Sequence, residues 1–105
     1  MAISEISVDE LATSLASGSR LVDVREQDEF DEGHVPGAVH VPLATVADHV
    51  EQFRSVGPTY VICRSGARSM RACEFLAAHG VEVANVAGGT MAWLLSGRDV
   101  ETAVS

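Results

Sequence analysis

The sequence predicts an α/β domain, a mainly parallel central sheet covered by helices on both faces. Three observations point there. Short β-branched runs alternate with segments of helical periodicity along all 105 residues. The runs Leu21-Val22-Asp23-Val24 and Tyr60-Val61-Ile62 are almost wholly apolar, as strands covered on both faces are. Glycine and proline punctuate nearly every junction between runs. The length suits one domain, residues 1–105, with a single modest core. No internal repeat, linker or low-complexity stretch divides it.

The elements follow in order. Ser7 and Glu10 are spaced as a capping box, with Ile6 and Leu11 placed as a hydrophobic staple. Val8, Leu11, Ala12 and Leu15 then make one apolar helix face, and Gly18 is the expected stop. Residues 21–24 form a strand whose Asp23 needs a buried partner; Arg25 is the nearest candidate. Glu26–Glu32 reads as a helical turn closed by Gly33, and His34–Ala38 as a turn set by Pro36 and Gly37. Val39–Val41 is a further short strand. Leu43, Val46, Ala47, Val50 and Phe53 predict a second helix to about Ser55, broken by Gly57-Pro58. Tyr60–Ile62 is the next strand. Arg68–His79 is a third helix with Met70, Cys73, Leu76 and Ala77 on its apolar face and a weak Arg71–Glu74 pair on the other. Residues 81–86 form a last strand, 87–89 a turn, and 90–96 a helix whose Trp93 belongs to the core. Residues 98–105 read as a loose or lightly docked tail.

Composition removes several classes of function. There is no lysine, so neither a phosphate-binding G-x-x-x-x-G-K loop nor a Schiff-base lysine exists. A net charge of −8 argues against nucleic acid or an anionic membrane as partner. His34, His40, His49 and His79 have no ligand spacing, neither cysteine belongs to a C-x-x-C, and no metal or cofactor is expected. His34 reads as a hydrogen-bonder of its turn or core, and Gly88-Gly89 is too short for a nucleotide fingerprint. The first residues lack a basic region followed by an apolar stretch, which makes the cytoplasm the expected location and free thiols the expected state of Cys63 and Cys73.

The chemistry concentrates at Cys63-Arg64-Ser65-Gly66-Ala67-Arg68-Ser69. Three of the seven arginines lie between residues 63 and 71, and no acidic residue does. A cysteine between a strand end and a helix start sits where α/β sheets build sites. Unpaired first-turn amides, the helix dipole, a small-residue loop able to curl into an anion nest, and Arg64 and Arg68 would all favour a thiolate. The same groups would hold an anionic substrate against a negatively charged nucleophile. Cys63 is therefore the predicted nucleophile. Cys73, beside Leu76 on the apolar face, is predicted to pack in the core.

The segments Leu21–Arg25, Glu29-Phe30 with Gly33–Ala38, His40-Val41-Pro42, Tyr60–Ser69, Gly88-Gly89 and Trp93, in this order and spacing, resemble the rhodanese family of sulfurtransferases over nearly the whole chain. The resemblance implies a three-layer single domain. It also implies that Cys63 attacks the outer sulfur of thiosulfate, or a persulfide donor, and passes that sulfur to cyanide, a low-molecular-weight thiol or a thioredoxin-like acceptor. Backbone amides from Arg64 to Ser69 would hold the persulfide, Arg64 and Arg68 the donor's oxyanion, and Asp23 and Arg25 would give structural support. The spacing C-x4-R is one residue shorter than the C-x5-R of related phosphatases and arsenate reductases, which favours sulfur chemistry over theirs. The pattern C-x-x-G-x-R resembles rhodaneses that serve glutathione-like thiols. A sulfur-relay or protein-binding module without turnover is the main alternative; an arsenate reductase or phosphatase is the other.

Overall fold

In the computed structural model, which describes residues 2–102, five parallel strands form one sheet in the order β1-β5-β4-β2-β3. They are β1 (Ser4–Ile6), β2 (Arg20–Asp23), β3 (Val39–His40), β4 (Thr59–Ile62) and β5 (Val83–Val86). Four helices cover them: α1 (Val8–Ala16), α2 (Gln27–Glu32), α3 (Ala67–Ala78) and α4 (Gly89–Leu95). The predicted α/β class with a flanked parallel sheet is the observed one.

Side chains of successive strand residues point to opposite faces, and the core divides accordingly. Val22 and Val61 join Phe53, Ala72, Cys73 and Leu76 on the α3 face. Their neighbours Leu21 and Ile62 join Leu11, Val86 and Trp93 on the face covered by α1 and α4. Every residue of β4 except Tyr60, and every residue of β5, is buried, so the strand that ends at Cys63 lies in the middle of the molecule.

The capping box forms as its spacing predicts: Ser7 N–H donates to Glu10 Oε1 at 3.0 Å, and Glu10 N–H to Ser7 Oγ at 3.1 Å. Asp23 also finds the expected partner. It is fully buried, and it accepts from the Arg25 backbone N–H at 2.9 Å and from Arg25 Nη2 at 2.8 Å. Arg25 Nη2 reaches on to the Gly33 carbonyl at 2.8 Å, tying the end of β2 to the far end of α2.

The structure changes or sharpens the reading at four points. Strand β1 has no apolar run to announce it; its three residues are an edge held by pairing of Ile6 with Val86. The second helix is two 3-10 segments, Leu43–Asp48 and Val50–Phe53. An apolar spacing of three satisfies a 3-10 turn as well as an α-helix. Here Thr45 turns its N–H and its hydroxyl onto the Pro42 carbonyl, and His49 leaves helical geometry at φ −130°, ψ 29°. The buried face of α3 is Ser69, Ala72, Cys73 and Leu76, with Met70 and Ala77 only partly covered, and Arg71 and Glu74 form no ion pair among the described residues. The C-terminal tail, expected to be loose or lightly docked, is docked as far as Glu101. Its N–H and carbonyl bridge His34 at 2.8 and 2.9 Å, and Asp99 O accepts from Trp93 Nε1 at 2.8 Å. Residues 103–105 of that tail lie outside the described residues. No helix of the described residues is long and apolar enough to cross a membrane.

The two devices differ in what their loss exposes. Ser7→Ala should cost about 1 kcal/mol, as helix caps do. Asp23→Ala strands the buried Arg25 guanidinium and should cost about 3–5 kcal/mol. Urea unfolding of both variants, compared at constant m-value, checks the ranking.

Candidate active site

Strand order explains where the site lies. From β2 the chain passes through α2 to β3 on one side; from β4 it passes through α3 to β5 on the other. Adjacent strands β2 and β4 thus part at their C-terminal ends, which opens the crevice that α/β sheets use for ligands. An open cleft of about 380 Å³ lies there, walled by Arg25 and Glu29 from the β2 side, Arg64 from the loop, and Met91, Leu94 and Val100. The Cys63 sulfur is not part of that wall. It lies within the turn that opens α3, facing the Gly66 amide and the Ser69 hydroxyl.

Cys63 is 1% exposed, and its sulfur accepts from the Gly66 N–H at 3.1 Å and from Ser69 Oγ at 3.3 Å. Gly66 makes the turn possible. It caps α3 at φ +111°, a left-handed geometry that L side chains rarely adopt, and its N–H thereby faces back to the sulfur. Burial is the largest single influence on the thiol and pushes its pKa up. The Ser69 hydroxyl, then the Ser69, Gly66 and Ser65 amides, together outweigh it and hold the pKa below the ordinary 9.0. Hydrogen bonds from the loop are the chief influences that lower the pKa, and Arg68 adds a lesser charge coupling to the sulfur.

The loop is held from behind by residues that sequence reasoning missed. The Cys63 carbonyl accepts from Thr90 N–H at 2.8 Å and from Thr90 Oγ1 at 3.1 Å, and the Arg64 carbonyl from Met91 N–H at 3.0 Å. Gly89 permits this approach. A Cβ there would stand 2.4 Å from the Cys63 carbonyl oxygen and 2.6 Å from that of Arg64, at a φ of +58°. Asn85 on β5 is buried, and its amide nitrogen donates to the Gly66 carbonyl at 3.1 Å. The glycine pair before a helix was a visible signal for Gly89. A polar residue inside an otherwise apolar strand was the signal for Asn85.

The two loop arginines separate. Arg68 donates from Nη1 and Nη2 to both carboxylate oxygens of Glu29 at 2.7 and 2.9 Å. The expectation that no acid pairs these arginines holds only within residues 63–71; the partner comes from α2. Glu29 is held at a pKa of about 2, chiefly by the Arg68 hydrogen bonds. The contribution of this depressed carboxylate to stability is full above its ordinary 4.5, declines as pH falls below that and is lost once pH has fallen through about 2, so the pair is intact at any mild pH. Arg64 is exposed beside the cleft and has no side-chain partner among the described residues. Ser65 and Ala67 are exposed, with Ala67 opening α3, while Gly66 and Ser69 are buried against the sulfur. Asp23 and Arg25 lie outside the loop, joined to each other.

Cys73 is fully buried, and desolvation pushes its thiol up to about 12. It is a packing residue. The His34 Nδ1 is bonded to the Phe30 carbonyl at 2.7 Å, and its ring stacks on Phe30 at 3.7 Å. Among the described residues no three His, Cys, Asp or Glu side chains gather as metal ligands.

Two outcomes follow from this geometry. Iodoacetamide at neutral pH should modify Cys63 and leave Cys73 untouched in the folded protein, with a Cys63 midpoint below 9.0, as peptide mapping across pH will show. Gly89→Ala should displace the loop, lower stability by at least about 2 kcal/mol and slow the alkylation of Cys63; unchanged stability and rate would mean that the close approach is not needed.

Comparison with known proteins agrees with the fold. The family model described as "Rhodanese-like domain" matches residues 7–96. A putative sulfurtransferase of Bacillus subtilis, YtwF, is 39% identical over 89% of this chain and 92% of its own length. A protein of Pseudomonas entomophila named thiosulfate sulfurtransferase GlpE is 32% identical over 84% of this chain and 82% of its own. The crystal structure of a rhodanese-like domain protein from Staphylococcus aureus superposes with a TM-score of 0.86 at 32% identity, covering 97% of this chain and all of that one. The chain belongs to the rhodanese-like domain family, and its sulfurtransferase-named relatives support a sulfur-transfer role for it.

Proposed function

We propose that this protein takes a sulfane sulfur from thiosulfate or a persulfide donor onto Cys63 and passes it to cyanide, a low-molecular-weight thiol or a thioredoxin-like acceptor. One observation carries the reading: a buried sulfur that already receives amide and hydroxyl donors. In the first step the Cys63 thiolate bonds to the outer sulfur of thiosulfate. The sulfur–sulfur bond of the donor breaks, and sulfite leaves with its electron pair. The negative charge then sits on the outer sulfur of the Cys63 persulfide. In the second step the acceptor's nucleophile bonds to that outer sulfur, and the Cys63 thiolate is the leaving group. With cyanide the product is thiocyanate.

Both steps use an ionised Cys63 and need no general base. His34 and His40, on the elements nearest the crevice, are committed to the Phe30 and Arg25 carbonyls. Arg64 is the group we assign to the donor's oxyanion, because it is exposed beside the cleft. The Arg68 guanidinium is turned to Glu29, so its part is to fix the loop against α2 and supply field. The Pseudomonas relative named for thiosulfate supports that donor. A reducing cytoplasm suits the two free thiols. No metal, cofactor, nucleic acid or membrane enters the scheme.

A relay role toward a protein acceptor has its own support. Met91, Leu94 and Leu95 on α4 are 43%, 53% and 84% exposed, and the first two wall the cleft. That apolar rim beside Arg64 suits a thioredoxin-like partner better than a free anion.

Intact mass after incubation with thiosulfate tests the reading. Wild type should gain one sulfur atom and lose it to cyanide, and Cys63→Ser should gain none; absence of the adduct in wild type would refute it. In steady state, Arg64→Ala should raise the KM for thiosulfate roughly tenfold. Arg68→Ala should lower kcat/KM further, since it also releases an unpaired Glu29. Arg71→Ala, exposed one turn on, should change little; equal effects of all three would mean that only overall charge matters. Aryl phosphate should not turn over.

A further inference from the structure

Asn85 stands on β5 behind the loop, 1% exposed, and the transfer scheme gives it no part. Its amide nitrogen lies 2.9 Å from Glu5 Oε2 and 3.1 Å from the Gly66 carbonyl oxygen. A carboxylate and a carbonyl only accept, so both fix the nitrogen toward themselves. The Asn85 Oδ1 is then turned to Ser69, whose Oγ is 2.5 Å away. An amide oxygen only accepts, so the Ser69 hydroxyl is the donor whenever that bond is made.

That hydroxyl has a single proton. It also lies 3.3 Å from the Cys63 sulfur and 3.3 Å from the Gly66 carbonyl. The carbonyl is already served by Asn85 Nδ2 and by the Met70 N–H at 3.1 Å. Asn85 Oδ1 and the Cys63 sulfur are the two contenders for the proton.

We propose that Asn85 is a positioning residue that competes with the Cys63 sulfur for the Ser69 hydroxyl proton, holding it while Cys63 is a neutral thiol and yielding it when the sulfur is charged. No bond to oxygen breaks in this exchange. The thiol proton leaves to water, and the hydroxyl rotates about its C–O bond toward the thiolate. When the charge moves to the outer sulfur of a persulfide, the hydroxyl returns to Asn85. Asn85 thus keeps the free thiolate less stabilised, and more nucleophilic, than an unopposed Ser69 would.

The proposal rests on Cys63 being the reacting sulfur of the transfer scheme. Charged or titratable groups around the pair are Glu5 from β1, Glu26 and Glu29 from α2 and its cap, Arg64 from the loop, and Arg68 and Cys73 from α3. All are unchanged across the variants below, so their fields cancel in a double-mutant comparison.

The test is the pH profile of Cys63 alkylation by iodoacetamide in wild type, Asn85→Leu, Ser69→Ala and the double variant. Asn85→Leu should shift the midpoint to lower pH, giving about three- to tenfold faster alkylation below the wild-type midpoint. In the Ser69→Ala background the same substitution should change nothing. A shift to higher pH, no shift, or an equal shift in both backgrounds would overturn the proposal and reduce Asn85 to a prop for Gly66. Should Asn85→Leu unfold, the wild type decides. The NMR resonances of the Asn85 carboxamide should titrate with the Cys63 midpoint and stop doing so in Ser69→Ala; a titration that persists there, or is missing in wild type, overturns it. Mass measurement of the thiosulfate adduct runs alongside. Coupling without an adduct would remove the transfer scheme alone, and an adduct without coupling would remove this proposal alone.

Discussion

The hydrogen bonds that the Cys63 sulfur receives from the Gly66 amide and the Ser69 hydroxyl are the constraint on which the site depends. A buried thiol is ordinarily inert, as Cys73 is ten residues on, where desolvation pushes the pKa up to about 12. The two cysteines sit in one core cluster and differ in what faces their sulfurs. At Cys63 the chain turns through a left-handed glycine and starts a helix, so first-turn donors converge on one atom. Burial then changes its meaning. It excludes water from a sulfur that already has polar partners, which strengthens each of those bonds.

Most of the surrounding structure can be understood as holding that turn. From β5 and α4, Asn85, Thr90 and Met91 donate to the Gly66, Cys63 and Arg64 carbonyls of the loop, and Gly89 permits the close approach. From the other side of the crevice, Glu29 takes the Arg68 guanidinium, and α2 is itself tied back to β2 through Arg25 and the Gly33 carbonyl. The loop is therefore clamped by the elements on both sides of the point where β2 and β4 part. Arg64 is exposed beside the cleft and has no side-chain partner among the described residues.

Reading the residues in order recovered the class of fold, the opening capping box, the Asp23–Arg25 pair and the strand–loop–helix around Cys63. Each of these is written in local spacing. What could not be read is non-local. Strand β1 exists because Ile6 finds Val86, eighty positions away in the chain. The Arg68–Glu29 pair joins segments whose proximity only the sheet order creates. The 3-10 segments escaped because Leu43 and Val46, or Val50 and Phe53, are three apart in either helix type. Arginine charge was expected to act on the thiol together with first-turn amides, the helix dipole and a small-residue nest. In three dimensions Arg68 is paired with Glu29, and the Ser69 hydroxyl, which the spacing did not single out as a donor, joins the expected amides in facing the sulfur.

The central claim is that loop hydrogen bonds, more than guanidinium charge, lower the pKa of Cys63. The most direct measurement is the ultraviolet absorbance of the thiolate followed across pH in Ser69→Ala and Arg64→Ala. The account predicts that the Cys63 midpoint rises clearly in Ser69→Ala and moves little in Arg64→Ala. The reverse order would contradict it and return the activation of the sulfur to the arginines.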